Sequence, residues 1–106
     1  MFRFFPIQFS LLVLEMLSAL PLLAEFLGTY LLTLAIVASG GNPWITGGAL
    51  ALVILLVGAM SGAYVNPAVS LAMYLKGSLS SQELASYVVV QLLGGAGALY
   101  SYNAFA

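Results

Sequence analysis

Apolar residues fill this chain in long blocks separated by short polar punctuation, and one block is broken from within. It begins near Thr46 and continues to Leu75, interrupted by Ser61-Gly62-Ala63-Tyr64-Val65-Asn66-Pro67-Ala68-Val69-Ser70. A run of about 30 residues is too long for one membrane span of about 20 and too short for two spans and a turn. Pro67 lacks an N–H and biases Asn66 away from the α region, so no helix continues through it from the N-terminal side. It does suit the first turn of a new helix. The pattern therefore predicts a full span from Thr46 to Gly62, a break at membrane depth, and a half-helix from Pro67 to Lys76. At 1.5 Å per residue that half-helix measures about 15 Å, half of a hydrocarbon core of about 30 Å. Lipid cannot hydrogen-bond irregular backbone, which must be buried in protein or line a polar cavity. The broken stretch is thus a pore or binding-site candidate.

The flanking blocks add two spans. The first runs from about Pro21 to Ser39, with Pro21 as an N-terminal helix residue, and carries Glu25 near Gly28 and Thr29. A charge at the centre of a span costs about 2.5–3.5 kcal/mol on insertion scales. Near the end Glu25 could snorkel to the surface; the sharper reading has it facing the bundle and accepting hydrogen bonds from N–H groups of the broken stretch. Gly40-Gly41-Asn42-Pro43 reads as a loop, and Trp44 after it fits an interfacial aromatic belt. Gly58 and Gly62 make a small-xxx-small pair permitting close helix approach. Gly77 to Ser81 is a polar loop whose Ser81 can cap the last span, from about Glu83 to Tyr102. Within that span Gln91 reads as interhelical glue or a ligand, beside a smooth face at Gly94, Gly95 and Gly97. Residues 1–20 are apolar but interrupted by Pro6 and Glu15, with Arg3 near the start. An interfacial leader, a weak extra span and a non-native start upstream of Met16 all fit them, and Ala19-Leu20-Pro21 matches a signal-peptide cleavage site poorly.

Composition narrows the class. The chain is 63% hydrophobic and 5% charged, where water-soluble domains carry about a quarter charged residues. It is an integral, multi-pass membrane protein, and the lipid bilayer is its first partner. Without His or Cys it has no ligands for a His- or Cys-bound metal and no such nucleophile. Nothing gathers Glu, Lys and Ser into a catalytic group, so no enzyme and no cofactor is expected. No basic tract offers a nucleic-acid surface.

Three matched pieces carry a resemblance: Ala24-Glu25-Phe26-Leu27-Gly28-Thr29, then Ser61-Gly62-Ala63 before Asn66-Pro67-Ala68-Val69, then Gln91-Leu92-Leu93-Gly94. In order and spacing they resemble the first, N-terminal repeat of the aquaporin/aquaglyceroporin (major intrinsic protein) family, over about residues 22–105. The resemblance implies an all-α membrane fold of three transmembrane helices plus one re-entrant half-helix. It implies that Asn66, in the Asn66-Pro67-Ala68 motif, points its amide into a pore, and that the carbonyls of Gly62, Ala63, Tyr64 and Val65 lead to it. Glu25 and Gln91 would support the re-entrant loop. A carbonyl row replaces the hydration of single-file water, and amide donors at the midplane orient it. Asn66 can equally serve as a helix cap, and the two roles are compatible. Two residues depart from the family pattern. Tyr64 stands where His is usual, and Thr46 falls where an aromatic or His narrows the selectivity constriction.

The family's complete channel has two inverted repeats, and this chain has one. Three readings follow: a fragment of a full channel, a half-channel that pairs with an inverted copy or a separate second-half chain, or a non-conducting membrane interaction protein that assembles with full-length relatives. Family precedent suggests a homo-oligomer. The solute is water or a small neutral molecule such as glycerol. The positive-inside rule places the N-terminus and Lys76 on the cytoplasmic side if residues 1–20 do not span.

Overall fold

The structure is a computed structural model and describes residues 6–106. Its four helices are α1 (Ile7–Ala38), α2 (Pro43–Ser61), α3 (Pro67–Lys76) and α4 (Ser81–Phe105). Helices α1, α2 and α4 are long and apolar enough to cross a membrane, while α3 spans only 10 residues. The all-helical plan of three spans and one half-helix is the one expected from the hydropathy pattern.

Local chemistry explains the element ends, and three differ from expectation. Asn42-Pro43 is the start of α2 rather than a loop. The Asn42 Oδ1 accepts from the N–H groups of Trp44 at 2.9 Å and Ile45 at 3.1 Å, and Pro43 occupies the first helical turn, where its missing N–H costs nothing. Helix α4 is capped by Ser80 instead of Ser81. The Ser80 Oγ accepts from Glu83 N at 3.1 Å while Glu83 Oε1 accepts from Ser80 N at 2.9 Å, a reciprocal capping box. The third difference is α1, which passes through Pro21 without a break. Its neighbours there are Leu and Ala, strong helix formers, and only one ladder bond is lost at the proline. The expected boundary at Pro21 is therefore not an element boundary; Arg3 and the rest of residues 1–5 lie outside the described residues.

Helix α1 is the central element. It packs against α2 and α4, and α3 packs against α4. Helices α1 and α4 run parallel, since Glu25 meets Gln91 and Tyr30 lies against Gly97. Their closest approach is at Gly94, where an added Cβ would lie 2.5 Å from the Phe26 carbonyl oxygen. The Gly58–Gly62 pair plays no such role among the described residues. Gly58 has only the Ile54 side chain nearby, and Gly62 ends α2 with φ 89°. The interior is small and mixed, with Glu25, Thr29, Ser61, Ser70 and Gln91 buried among Ala24, Val53, Ala63, Val65, Leu79, Tyr87 and Ala98. Large apolar side chains cover the outside. This arrangement suits lipid, where packing and interhelical hydrogen bonds hold helices together without a hydrophobic drive between them.

Candidate functional site: the re-entrant loop and its carboxylate anchor

Between α2 and α3 the backbone takes a path that neither helix nor strand supplies. Gly62, Ala63 and Val65 have φ of 89°, 52° and 44°. Left-handed backbone is natural for Gly62, but for Ala63 and the β-branched Val65 it costs of order 1–3 kcal/mol each. That cost must be offset locally, and Glu25 does so from α1.

Four donors converge on the Glu25 carboxyl group, which is fully buried. Oε2 accepts from Ser61 Oγ at 2.6 Å and Tyr64 N at 3.0 Å; Oε1 accepts from Val65 N at 2.8 Å and Gln91 Nε2 at 2.8 Å. The Ser61 hydroxyl in turn accepts from Ala63 N at 3.1 Å. Gln91 also donates to Ser70 Oγ at 2.7 Å, tying α4 to α3. The Tyr87 hydroxyl donates to the Ser61 carbonyl at 2.8 Å, and its ring lies 5.8 Å from that of Tyr64. Thus one carboxylate and its neighbours join all four helices around the loop. Gly28 makes the fit possible, because a Cβ there would stand 2.8 Å from Val65 Cγ1.

This satisfaction is one-sided. The N–H groups of Ala63, Tyr64 and Val65 all have partners inside the protein. The carbonyls of Gly62, Ala63, Tyr64 and Val65 accept no hydrogen bond from the described residues. Gly62 and Asn66 are exposed, Tyr64 is half-buried, and Ala63 and Val65 are buried. Asn66 continues the asymmetry. Its Oδ1 accepts from Ala68 N at 2.7 Å and Val69 N at 3.4 Å, which turns Nδ2, with its two hydrogens, away from the helix. Pro67 fills the first turn of α3, and Ala68 is exposed beside it.

Asn66, Pro67, Ala68, Glu25, Gln91 and residues 62–65 therefore come together. Thr46 does not join them. It sits in the first turn of α2, about 24 Å of helix from Gly62 at 1.5 Å per residue, with its Oγ1 buried and without a hydrogen-bond partner among the described residues. Sequence reasoning assigned no role to Ser70 or Tyr87. Tyr87 lies four residues before Gln91 and so on the same face of α4, a spacing that marks it as a neighbour of the same cluster.

Residues 14–104 match the family model described as Major intrinsic protein. The chain belongs to the major intrinsic protein family. Members of this family are channels and not enzymes, and the chain is a multi-pass integral membrane protein. Among major intrinsic protein relatives it is similar to Aquaglyceroporin AqpS of Rhizobium meliloti (strain 1021), 38% identical over 67% of this chain and 37% of that protein. It is 38% identical to Lens fiber major intrinsic protein of Gallus gallus over 74% of this chain and 36% of that one. Aquaporin-9 of Homo sapiens is 40% identical over 78% of this chain and 33% of its own length. The chain thus spans about a third of each of these relatives' length. No solved structure matches it.

Proposed function

We propose that this chain supplies one half of the wall of a passive transmembrane channel for water or small neutral solutes such as glycerol, a second, inverted repeat supplying the other half. The observation that carries the reading is the one-sided loop. Its N–H groups are fastened to Glu25 and Ser61, while among the described residues no donor meets the four successive carbonyls and no acceptor meets the Asn66 amide hydrogens. Acceptors in a row and two donors at their end provide what a single-file neutral solute loses when it leaves bulk water. The N-terminal end of α3 adds a positive potential that disfavours cations. Tyr64 stands at the mouth and Thr46 at the level of the constriction, where a small residue widens the path. The end of the bundle that holds the Lys76 loop and the start of α1 faces the cytoplasm.

Asn66→Asp separates pore from cap. Asp is as good a helix cap as Asn, so α3 keeps its first turn, but it has no amide donors. In vesicles holding the purified chain in both orientations, osmotic swelling should exceed that of empty vesicles, and Asn66→Asp should lower it severalfold while the circular dichroism stays unchanged. Equal swelling of the two proteins would count against the role of Asn66, and none above empty vesicles with insertion demonstrated would count against a pore completed by copies of this chain.

A further inference from the structure

Helix α1 is too long for the bundle it anchors. Its 32 residues measure about 48 Å, against a hydrocarbon core of about 30 Å. The surplus lies wholly at one end. Ser18 and Pro21 of α1 border a groove with Gln82 and Glu83, in the first turn of α4. Because the two helices run parallel, residues 7–16 extend past the capped start of α4 by about 15 Å. That extension is apolar and, apart from the half-buried Ser10 and Val13, exposed: Ile7 is 73% accessible, Leu12 54% and Met16 62%. An apolar rod standing in water beyond the membrane end of the bundle is not a stable arrangement.

We propose that residues 7–20 lie along the membrane surface at the end of the bundle where the Lys76 loop is found, bent from the span at Pro21, with lipid as the occupant of their apolar face. Three features support lipid rather than protein. The segment is continuous with the lipid-facing surface of α1, and its apolar character needs no change to stay in the same solvent. Its polar positions make a stripe along one side. Gln8, Ser10, Glu15 and Ser18 fall within about 160° of the helix circumference, and Phe9, Met16 and Leu20 are centred opposite the middle of that arc. Laid flat, the stripe meets water and the opposite face enters the acyl region, as in interfacial helices. As a further span, Glu15 would instead be drawn into hydrocarbon with no ion-pair partner among the described residues. The bend also has a cause. Pro21 has no N–H to give the Leu17 carbonyl, and one turn earlier the Ser18 hydroxyl donates to the Glu15 carbonyl at 2.7 Å, a back-bond of the kind that bends helices. Two weak points in successive turns coincide with the level of the first turn of α4.

Depth-dependent fluorescence quenching of the full chain in vesicles tests the proposal. Trp44 is the chain's single tryptophan, so Trp44→Phe provides a silent background for Phe9→Trp, Met16→Trp and Gln8→Trp. Tryptophan at 9 and at 16 should lose more fluorescence to lipids brominated near the headgroup than to lipids brominated near the chain ends. Tryptophan at 8 should be the one most open to aqueous acrylamide. Stronger quenching at 9 and 16 by the deep bromines would overturn the proposal in favour of a span. Protection from both quenchers would overturn it in favour of a second protein copy, and uniform acrylamide access would leave the segment in water.

Discussion

Glu25 illustrates how much a single side chain decides. Without it, two backbone N–H groups of a loop with left-handed Ala63 and Val65 lose their acceptors. Each unsatisfied buried donor costs about 1–3 kcal/mol. Glu25→Ala should therefore destabilise the protein by about 2–6 kcal/mol, read as a lowered midpoint of thermal unfolding in detergent. Glu25→Gln should do nearly as badly despite its similar shape. Four donors face the carboxyl oxygens, and an amide would turn its own N–H₂ toward at least one of them. Unfolding that barely changes in Glu25→Gln would mean that shape rather than acceptor chemistry holds the loop. Asn66 works on the opposite side of the same loop. Its cap fixes which end of the amide faces outward, so a structural role and the proposed solute-facing role are served by one orientation.

At the scale of elements, the α1–α4 contact is set by absence of side chain. Gly94→Ala would place a methyl group against the Phe26 backbone oxygen, which cannot rotate away as a side chain can. The helices must separate, which should cost about 1–3 kcal/mol and loosen the Glu25–Gln91 bond that lies one turn away. Gly47→Ala is the control. Nothing lies within 4 Å of an added Cβ there, and helix propensity alone should make it neutral to stabilising by up to about 1 kcal/mol. Parallel melts of the two variants check the pair, and a Gly94→Ala melt no lower than that of Gly47→Ala would count against the close approach as the limit on the contact. The half-helix uses the same Asn-Pro start as α2. The two starts differ in what surrounds them: Asn42 follows an exposed turn, whereas Asn66 follows a loop buried against α1 and tied to its carboxylate.

Over the whole molecule, the proposed pore would take the exposed side of Asn66 and the carbonyls of residues 62–65 as one of its faces and needs a second repeat for the other. If copies of this chain complete it for one another, they must insert in opposite orientations. Ser78→Cys, in a chain with no native cysteine, should then be labelled by an impermeant thiol reagent from both sides of sealed vesicles. Labelling from one side alone would point to a separate second-half partner. The low charge of the chain, with only two basic residues, imposes little orientational bias of its own.

Much of this protein is legible in the order of its residues. The apolar block of about 30 positions broken at Asn66-Pro67 dictates a span, a break and a half-helix, because helix rise and bilayer thickness are fixed lengths and proline cannot donate. The interior charge at Glu25 already calls for donors, since a carboxylate within a span is too costly to leave alone. The chain order could not decide which donors answer. That Tyr64 and Val65, rather than other exposed N–H groups, reach Glu25 depends on α1 lying beside the loop, with Gly28 leaving space for Val65 and Gly94 letting α4 close in. Ser70 and Tyr87 belong to the same network only because α3 and α4 fold back onto the loop. The helical path through Pro21 and the choice of Ser80 over Ser81 were likewise decided by geometry that local propensity leaves nearly balanced. Spacing and solvent prescribe the elements of this chain; hydrogen bonds between residues distant in sequence choose how its one irregular stretch is held.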